Sequence, residues 1–448
     1  MQASVDRTGG GGRDMVWLAL MALALSVLIA SAPSLHKRCG GWALIGVFAV
    51  SAAGACAAAR LGGRAARPGA LIVILAGGLA MRAGMLMTEP YLSSDIYRYI
   101  WDGRVQAAGI NPYRYVPGAP ELAWLRDGAI FPNINRASYA PTIYPPAAQA
   151  IFFIVTRLSE SVVAMRIALI AMEAAICASL LGLLHRQGAP AARIAIYAWH
   201  PLPIWEIAGN GHVDAAMIAL LMFGLWLHVA GRPLASGIAA TLGALVKPTA
   251  ALALPALWKP PDWRLPLVVA ATLVAAYSPY LSVGSGVFGY LGGYLREEGL
   301  TTGSSYKLLF IIEGLAGARP WVTTVYLIVC ALLLVGLALA ASFRRDRSEA
   351  ATVCATTWLL IAFLILSSPH YPWYFLVLVP FLVLNGTATA WVLTVASVLF
   401  YNAVPEVGPI PSYEARILVF TLLTLAALAF DAWAYRQRPA AAAIGGTP

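Results

Sequence analysis

Residues 321–342, WVTTVYLIVCALLLVGLALAAS, decide the fold class of this chain. The stretch runs for 22 positions without a charged residue, and about 20 apolar residues are enough for a helix to cross a bilayer. A strand of a membrane barrel would alternate apolar and polar residues, and this run does not. It therefore predicts a transmembrane α-helix.

Comparable apolar runs occupy most of the chain. Of its 448 residues, 60% are hydrophobic and only 11% are charged, whereas soluble domains carry roughly 25% charged residues. Because a soluble domain needs polar surface in proportion to its area, the composition predicts an all-α polytopic membrane protein. The predicted spans are residues 15–33, 40–60, 69–87, 162–184, 193–208, 213–230, 265–282, 321–342, 350–367, 372–387, 388–404 and 415–434.

Residues 234–258 are a further apolar stretch, interrupted by Lys247-Pro248. Proline lacks the amide hydrogen that continues a helix, so this stretch is either one kinked span or two half-helices. Two halves would keep Arg232 and Lys259 on the same side of the membrane. The whole chain is expected to form about 12–14 transmembrane helices.

Basic residues predict the orientation of the chain. The net charge of +10 would suit nucleic-acid binding in a soluble protein, but half of the 30 Lys and Arg residues fall in segments that a cytoplasmic N-terminus places inside. Short loops on the other side, such as 208–212 and 367–371, hold none, and Lys37-Arg38 is the exception. This bias follows the positive-inside rule, so membrane lipids rather than nucleic acid are the expected surroundings.

Two long loops lie on the outer side in this topology, at residues 88–161 and 283–320. Long loops in compact chains are usually functional. In the first loop, whose polar part is 88–145, residues 95–106 predict an amphipathic helix lying in the membrane interface. Residues 147–157 are too short to span and predict a second interface helix. The chemistry is therefore expected on this loop.

The chain divides into three predicted parts. Residues 1–68 hold two spans and are interpreted as an N-terminal addition, and residues 69–434 form the transmembrane catalytic domain with both long outer loops. Residues 435–448 are mainly Ala, Gly and Pro, and are expected to be a disordered tail.

Asp95 is the first candidate for chemistry, since it follows the third predicted span by a few residues. A carboxylate at the membrane surface could take the proton of a hydroxyl acceptor. The alternative is that Ser94 and Asp95 only cap the interface helix. Arg98, on the same helix, could contribute positive charge for an anionic ligand.

The turn Gly209-Asn210-Gly211-His212-Val213-Asp214 joins two predicted spans on the same outer side. Glycine lets the backbone approach a ligand closely, so Asn210, His212 and Asp214 are candidate substrate contacts. The alternative is a capping turn in which Asp214 is favoured by the helix dipole.

Lys247 and His370 complete the candidates. At a break between half-helices the Lys247 ammonium could hold a phosphate, or it could extend to the lipid headgroups. His370 lies in a turn with aromatic residues, including Tyr371, that are typical of a membrane interface. Anchoring at the interface does not require a histidine, so His370 is a candidate for function. Lys307 in the second loop adds positive charge.

Several other chemistries lack their motifs. The sequence has no Gly-rich nucleotide loop after a strand, no His-Glu-x-x-His pair and no Asp-x-Asp pair in the outer loops. The five cysteines are scattered without a metal-ligand spacing or a disulfide framework. No metal and no cofactor are therefore expected.

Together these features resemble the GT-C superfamily of membrane glycosyltransferases: an early outer-loop Asp95, interface helices, the entry Tyr144-Pro145-Pro146, a Gly-His-x-Asp turn and the Lys247-Pro248 break. Over roughly residues 69–380 the chain is most similar to bacterial polyprenyl-phosphate-mannose-dependent mannosyltransferases. In those proteins the turn commonly reads Gly-x-His-Asn-Asp, and here Val213 replaces the Asn.

The resemblance implies a GT-C-like fold, a polyprenyl-phosphate sugar donor with mannose as the sugar, and a lipid or glycan hydroxyl acceptor. It places the site on the extracytoplasmic side of a bacterial inner membrane and makes Asp95 the general base of an inverting transfer. On this interpretation the donor phosphate is bound by Lys247, Arg98 and His370, and the substrates by His212, Asp214, Asn210, Tyr144 and Tyr371.

Two other functions are open from the sequence. A transporter or flippase of a lipid-linked saccharide would place ionisable residues near the bilayer midplane, where Glu173 is the main acidic candidate. If the protein is a non-catalytic scaffold subunit, there is no reason for four side chains to lie together in one site: Asp95, His212, Lys247 and His370.

Overall fold

The computed structural model describes residues 8–65, 68–303, 306–317, 319–401 and 412–437, and all regular structure within these ranges is helical. Eight of the described helices are long and apolar enough to cross a membrane. The protein is therefore an all-α polytopic membrane protein, which confirms the prediction from composition.

The helices follow the predicted spans closely at most positions. In chain order they are α1 (Thr8–Cys39), α2 (Gly41–Ala65), α3 (Pro68–Leu86), α4 (Asp95–Ala107), α5 (Pro146–Leu158), α6 (Val162–Arg186), α7 (Ala195–Ala198), α8 (Pro201–Pro203), α9 (Asp214–Val229), α10 (Pro233–Ala244), α11 (Leu254–Leu257), α12 (Arg264–Tyr277), α13 (Leu291–Glu297), α14 (Lys307–Ala316), α15 (Pro320–Phe343), α16 (Glu349–Ser367), α17 (Val379–Leu384), α18 (Ala388–Ala396) and α19 (Tyr413–Gln437). The eight long candidates are α1, α2, α3, α6, the continuous run from α12 to α13, α15, α16 and α19.

The stretch around Lys247 consists of two short helices. α10 ends at Ala244, and a 3-10 turn at Pro248–Ala253 leads into α11. Lys247 between them has an extended backbone, with φ −143° and ψ 132°, because a residue that precedes proline is pushed out of the helical region. The half-helix alternative is thereby confirmed over a single kinked span.

The structure corrects the predicted span at residues 193–208, which is not a single helix. This stretch contains a 3-10 turn, the short helices α7 and α8, and a π-helix at Ile204–Gly209. Pro201 and Pro203 cannot donate amide hydrogens, and the His200 ring accepts a 3.2 Å hydrogen bond from the Leu202 amide instead. The chain therefore bends here, and the π-helix leads into the turn that carries His212.

The two helices predicted for the first long loop form where the sequence places them, as α4 and α5, and their position in the membrane interface stays a prediction. They pack tightly, since a Cβ at Gly103 would collide with Thr156. Their polar groups face each other: Asp102 is buried and accepts hydrogen bonds from Thr142 at 2.5 Å and Gln149 at 3.0 Å. The two helices thus form a wall with a satisfied polar interior.

One hydrophobic core joins the N-terminal helices to the rest of the bundle, from Leu18 in α1 to Phe420 in α19. A buried ion pair lies within it, where Arg82 donates to both oxygens of Glu173 at 2.7 and 2.6 Å. The Tyr197 hydroxyl adds a 3.0 Å hydrogen bond to the same carboxylate. Pairing and hydrogen bonding of this kind are what make a charge tolerable in apolar surroundings.

The predicted tail, residues 435–448, begins inside α19, which continues to Gln437. The remainder of that prediction, residues 438–448, lies outside the described residues.

Candidate active site

Most of the polar residues predicted from the sequence, among them Asp95, His212 and Lys247, come together at one end of the helix bundle, where α3 ends and α6 begins. Arg166, fully buried near the start of α6, ties this end together. Its guanidinium donates to the carbonyl oxygens of Met85 at 2.5 Å, Thr88 at 2.7 Å and Ala208 at 2.6 Å. These bonds fix the beginning of the first long loop against the π-helix.

The turn from Gly209 to Asp214 packs directly against the start of α4. Gly211 has φ +75°, and a Cβ there would collide with the Ile96 side chain, so glycine is required both for the backbone angle and for the approach. Asn210 accepts a 3.3 Å hydrogen bond from the Leu92 amide. The turn thereby brings His212 towards Asp95.

Asp95 stands at the edge between this turn and the surrounding solvent. Its side chain is 24% exposed, and one oxygen, Oδ2, is 4.0 Å from His212 Nδ1. The other oxygen, Oδ1, accepts a 3.0 Å hydrogen bond from Asn135. Ser94 occupies the N-cap position of α4 without a side-chain capping hydrogen bond, and Asp95 accepts from Asn135 in the loop, so capping does not account for the Asp95 carboxylate.

His212 is fully buried between two carboxylates. On the side away from Asp95, its Nε2 is 3.2 Å from Glu206 Oε2. Within the described part of the chain, neither ring nitrogen has a partner in hydrogen-bond geometry. Glu206 is also fully buried, and it accepts hydrogen bonds from Asn210 at 3.1 Å and from the Tyr401 hydroxyl.

An aromatic stack continues from His212. The Trp373 ring stacks on His212 with 4.3 Å between centroids and 22° between the planes, and Tyr371 stacks on Trp373, also at 4.3 Å. Tyr374 extends this aromatic surface, and Lys247 Nζ is 5.5 Å from the Tyr374 ring centroid. The stack therefore connects the Asp95 side of the site to Lys247.

Lys247 forms an ion pair with Asp214. The Nζ to Oδ2 distance is 2.5 Å, and the Asp214 side chain is only 3% exposed while that of Lys247 is 16% exposed. The ammonium is thus held inside the site rather than extended to lipid headgroups. A phosphate bound there would share Lys247 with Asp214.

Arg98 and His370 lie apart from this chain of contacts. Arg98 is buried, with Nε 2.8 Å from Asp102 Oδ1 and a 3.1 Å hydrogen bond to the Ala140 carbonyl. His370 is half-buried beyond Tyr371, where burial and then the nearby Lys307 charge lower its pKa to about 4. It is therefore neutral near pH 7, and phosphate binding by Arg98 or His370 stays a prediction.

Lys307 is held by backbone carbonyl groups and stabilises the fold. Its buried ammonium donates to the carbonyl oxygens of Ser368 at 2.8 Å and Pro369 at 2.7 Å, and burial lowers its pKa to about 7. It fastens the turn that carries His370 and the aromatic stack.

The second long loop closes over the first through Arg136. Its guanidinium is 2.6 Å from a Glu297 oxygen and 3.4 Å from a Glu298 oxygen. Burial raises the pKa of Glu298, while Arg136 opposes this change and the nearby Asp95 charge adds to it. Tyr294, in the same loop, shares a hydrogen bond with Tyr374. The site therefore has walls from both loops.

Tyr144 packs in the wall beside Asp95. Its ring meets Tyr99 and Phe152 edge to face at 5.0 and 5.4 Å, and its carbonyl oxygen accepts a 2.7 Å hydrogen bond from the Tyr113 hydroxyl. Burial, and after it the Asp95 charge, raise the pKa of Tyr144. Among the described residues, no group of three or more His, Cys, Asp or Glu side chains is arranged to hold a metal ion.

Sequence reasoning missed Glu206, Trp373 and Glu298. Glu206 had a usable signal, because an acidic residue inside a predicted span is by default a functional candidate. Trp373 was attributed to interface anchoring, and Glu298 was one of several charges in a long loop.

The fold and this site define a polytopic helical membrane protein with a polar, aromatic-lined site at one end of its bundle. The family model described as alpha-(1->6)-mannopyranosyltransferase, N-terminal domain, matches residues 28–259, more than half of the chain. The chain therefore belongs to that family, which confirms the resemblance to the mannosyltransferases. The match begins inside α1, and the predicted division at residue 68 stays a prediction.

The chain is also similar to alpha-(1->6)-mannopyranosyltransferase A of Mycobacterium tuberculosis. The two are 24% identical over 328 residues, which are 65% of this chain and 61% of that protein. The chain thus spans about three-fifths of the length of this curated relative. No solved structure gives a significant match.

Proposed function

We propose that this protein is a glycosyltransferase that moves a mannosyl group from a polyprenyl-phosphate donor to a hydroxyl group of a lipid or glycan acceptor. Membership in the alpha-(1->6)-mannopyranosyltransferase family supports the activity. The observation that carries it is the placement of Asp95, partly exposed and 4.0 Å from the buried His212, beside an aromatic stack that leads to Lys247.

In the proposed reaction Asp95 takes the proton of the acceptor hydroxyl. The acceptor oxygen attacks the anomeric carbon while the bond from that carbon to the phosphate oxygen breaks, and the electron pair leaves with the polyprenyl phosphate. A single displacement of this kind inverts the anomeric configuration. Charge grows on the leaving phosphate, so a cation held in place beforehand lowers the barrier, and Lys247 Nζ lies 5.5 Å from the Tyr374 ring at one end of the stack.

The stack itself suits a sugar. Sites for small ligands are mostly apolar and aromatic surfaces with a few placed polar groups, and Tyr371, Trp373 and Tyr374 give such a surface between Asp95 and Lys247. We assign Tyr371 and Tyr144 to the sugar or acceptor side. Arg98 could reach a phosphate only by leaving Asp102.

The transport alternative receives no comparable support. Glu173, its main acidic candidate, is 3% exposed and bound through both oxygens by Arg82. A carboxylate held this way stabilises the fold and is not available to a moving ligand.

The test is transfer by the purified full-length chain in liposomes, with short polyprenyl-phosphate mannose as donor and alkyl mannosides as acceptors. We expect a mannosylated product, and Asp95→Asn should lower kcat by about 10²–10⁴-fold because a general base contributes that much. The matched control is Asp127→Asn in the same loop, which removes a carboxylate paired with Arg104 and should keep activity. Absence of transfer by the wild-type protein would reject the function, and full activity of Asp95→Asn would reject Asp95 as the base.

The proposed orientation has its own test. The reporter is an enzyme that is active only outside the cytoplasm. Inserted after Asn135, within the first long loop, it should be active. A cytoplasmic signal would place the site on the wrong side for the proposed donor and acceptor.

A further inference from the structure

Glu206 and His212 form a buried pair directly behind Asp95. Both side chains are 0% exposed, and His212 lies between the two carboxylates, 3.2 Å from Glu206 and 4.0 Å from Asp95. Trp373 stacks on the imidazole and holds the plane of the ring. A capping turn does not need a fully buried imidazole with a carboxylate on each side.

The hydrogen bonds around Glu206 indicate how the imidazole is protonated. The Asn210 amide and the Tyr401 hydroxyl donate to its two oxygens, and an ionised carboxylate is an acceptor only. The Nε2 atom, 3.2 Å from Glu206 Oε2, is therefore the one to which we assign the hydrogen. The Nδ1 atom, which faces Asp95, then presents its lone pair.

We propose that His212 takes from Asp95 the proton that Asp95 has removed from the acceptor, and that Glu206 positions His212 for this step. This inference rests on the proposed glycosyl transfer. The bond from the proton to Asp95 Oδ2 breaks, a bond from the proton to His212 Nδ1 forms, and the imidazolium is stabilised by the Glu206 carboxylate. Asp95 thereby regains its negative charge before the product leaves.

The route back follows from the difference in exposure. His212 is sealed behind Asp95, whereas the Asp95 side chain is 24% exposed. After the product leaves, the proton returns to Asp95 and passes from its exposed edge to water. The 4.0 Å separation shortens when substrate is bound, as catalytic hydrogen bonds commonly do.

The kinetic test compares Glu206→Gln with the wild-type protein in the liposome assay. A glutamine oxygen can keep the contacts with Nε2 and Asn210, but glutamine removes the negative charge that stabilises the imidazolium, and so it slows the step. We expect kcat to fall by about 10²-fold with KM for donor and acceptor within about twofold. An unchanged kcat, or a raised KM with unchanged kcat, would overturn the inference while leaving the transfer and the role of Asp95 intact.

A spectroscopic test does not depend on activity. In protein labelled with ¹⁵N-histidine, the His212 signals are assigned by their loss in His212→Asn. They should show hydrogen on Nε2 in the wild-type protein. Hydrogen on Nδ1 instead would leave no lone pair facing Asp95 and would overturn the inference, whatever the liposome assay gives.

The matched control is His200→Asn. His200 is also fully buried, but its ring accepts a hydrogen bond from the Leu202 amide, a role that asparagine can fill. This variant should keep kcat and leave the His212 signals unchanged. Loss of activity in His200→Asn equal to that in Glu206→Gln would mean that any buried polar change disables the protein, and would overturn the specific assignment.

Discussion

Replacing Lys247 by methionine should separate the structural role of this lysine from its proposed role at the donor phosphate. Its partner Asp214 is 3% exposed and only 2.5 Å from the ammonium. Removing one member of a buried ion pair leaves an uncompensated charge and typically costs about 3–5 kcal/mol. Because Lys247 is 16% exposed, the lower end of that range, about 3 kcal/mol, is expected for Lys247→Met.

The double variant Lys247→Met with Asp214→Asn removes both charges together. It should recover most of the lost free energy of unfolding, to within about 1 kcal/mol of the wild-type value, since only a neutral hydrogen bond is then missing. Unfolding is followed by tryptophan fluorescence in mixed micelles. Lys259→Met, at an exposed lysine, is the matched control and should be as stable as the wild type.

Activity should not follow stability in the double variant. A charge-assisted hydrogen bond to the donor phosphate is worth about 1.5–3 kcal/mol, so kcat/KM should remain roughly 10- to 150-fold below wild type. A double variant with wild-type kcat/KM would refute a cationic role for Lys247. A single variant as stable as the wild type would refute the buried ion pair.

Three further outcomes are expected around the site. Trp373→Leu should lower kcat about tenfold by freeing the His212 ring, with Trp373→Phe much closer to wild type; equal activities of the two would contradict the stacking role. Arg136→Gln should raise the rate of amide hydrogen exchange in Leu291–Glu297, because the Arg136 ion pairs join the two loops there. These pairs are partly exposed and worth at most about 1 kcal/mol, so the increase should be small. An unchanged exchange rate would argue against that link. Burial lowers the pKa of His370 from 6.5 to about 4, so its contribution to stability is complete above pH 6.5 and is lost as the pH falls towards 4. The unfolding temperature of His370→Gln should therefore fall less than that of the wild type between pH 7 and pH 4.5. The same fall in both proteins would contradict the lowered pKa of His370.

The elements that local chemistry determines were predictable from the sequence. α4 was predicted at residues 95–106 and observed at Asp95–Ala107, and α5 was predicted at 147–157 and observed at Pro146–Leu158. The break at Lys247-Pro248 was equally local, because proline and the residue before it restrict the backbone wherever they occur.

The pairings inside the site were not predictable in the same way. Lys247 binds a carboxylate 33 positions earlier, and Glu206 binds a hydroxyl 195 positions later. Only the packing of the bundle brings such residues together. The four residues proposed to converge were chosen one by one from short motifs, and a motif cannot show whether a cation already has a partner, as Arg98 does in Asp102.

Because of the π-helix at Ile204–Gly209, the site depends on the number of residues in this segment as well as on which residues they are. The Asn210 amide bonds to the carbonyl five residues back, at 2.9 Å from Trp205, and the Ala208 carbonyl accepts from Arg166. Each residue of an ordinary α-helix turns the chain by about 100°. Deleting Ile207 or Ala208 from this wide turn would keep every polar residue of the site in the sequence, yet it would rotate Glu206 by about that angle relative to His212.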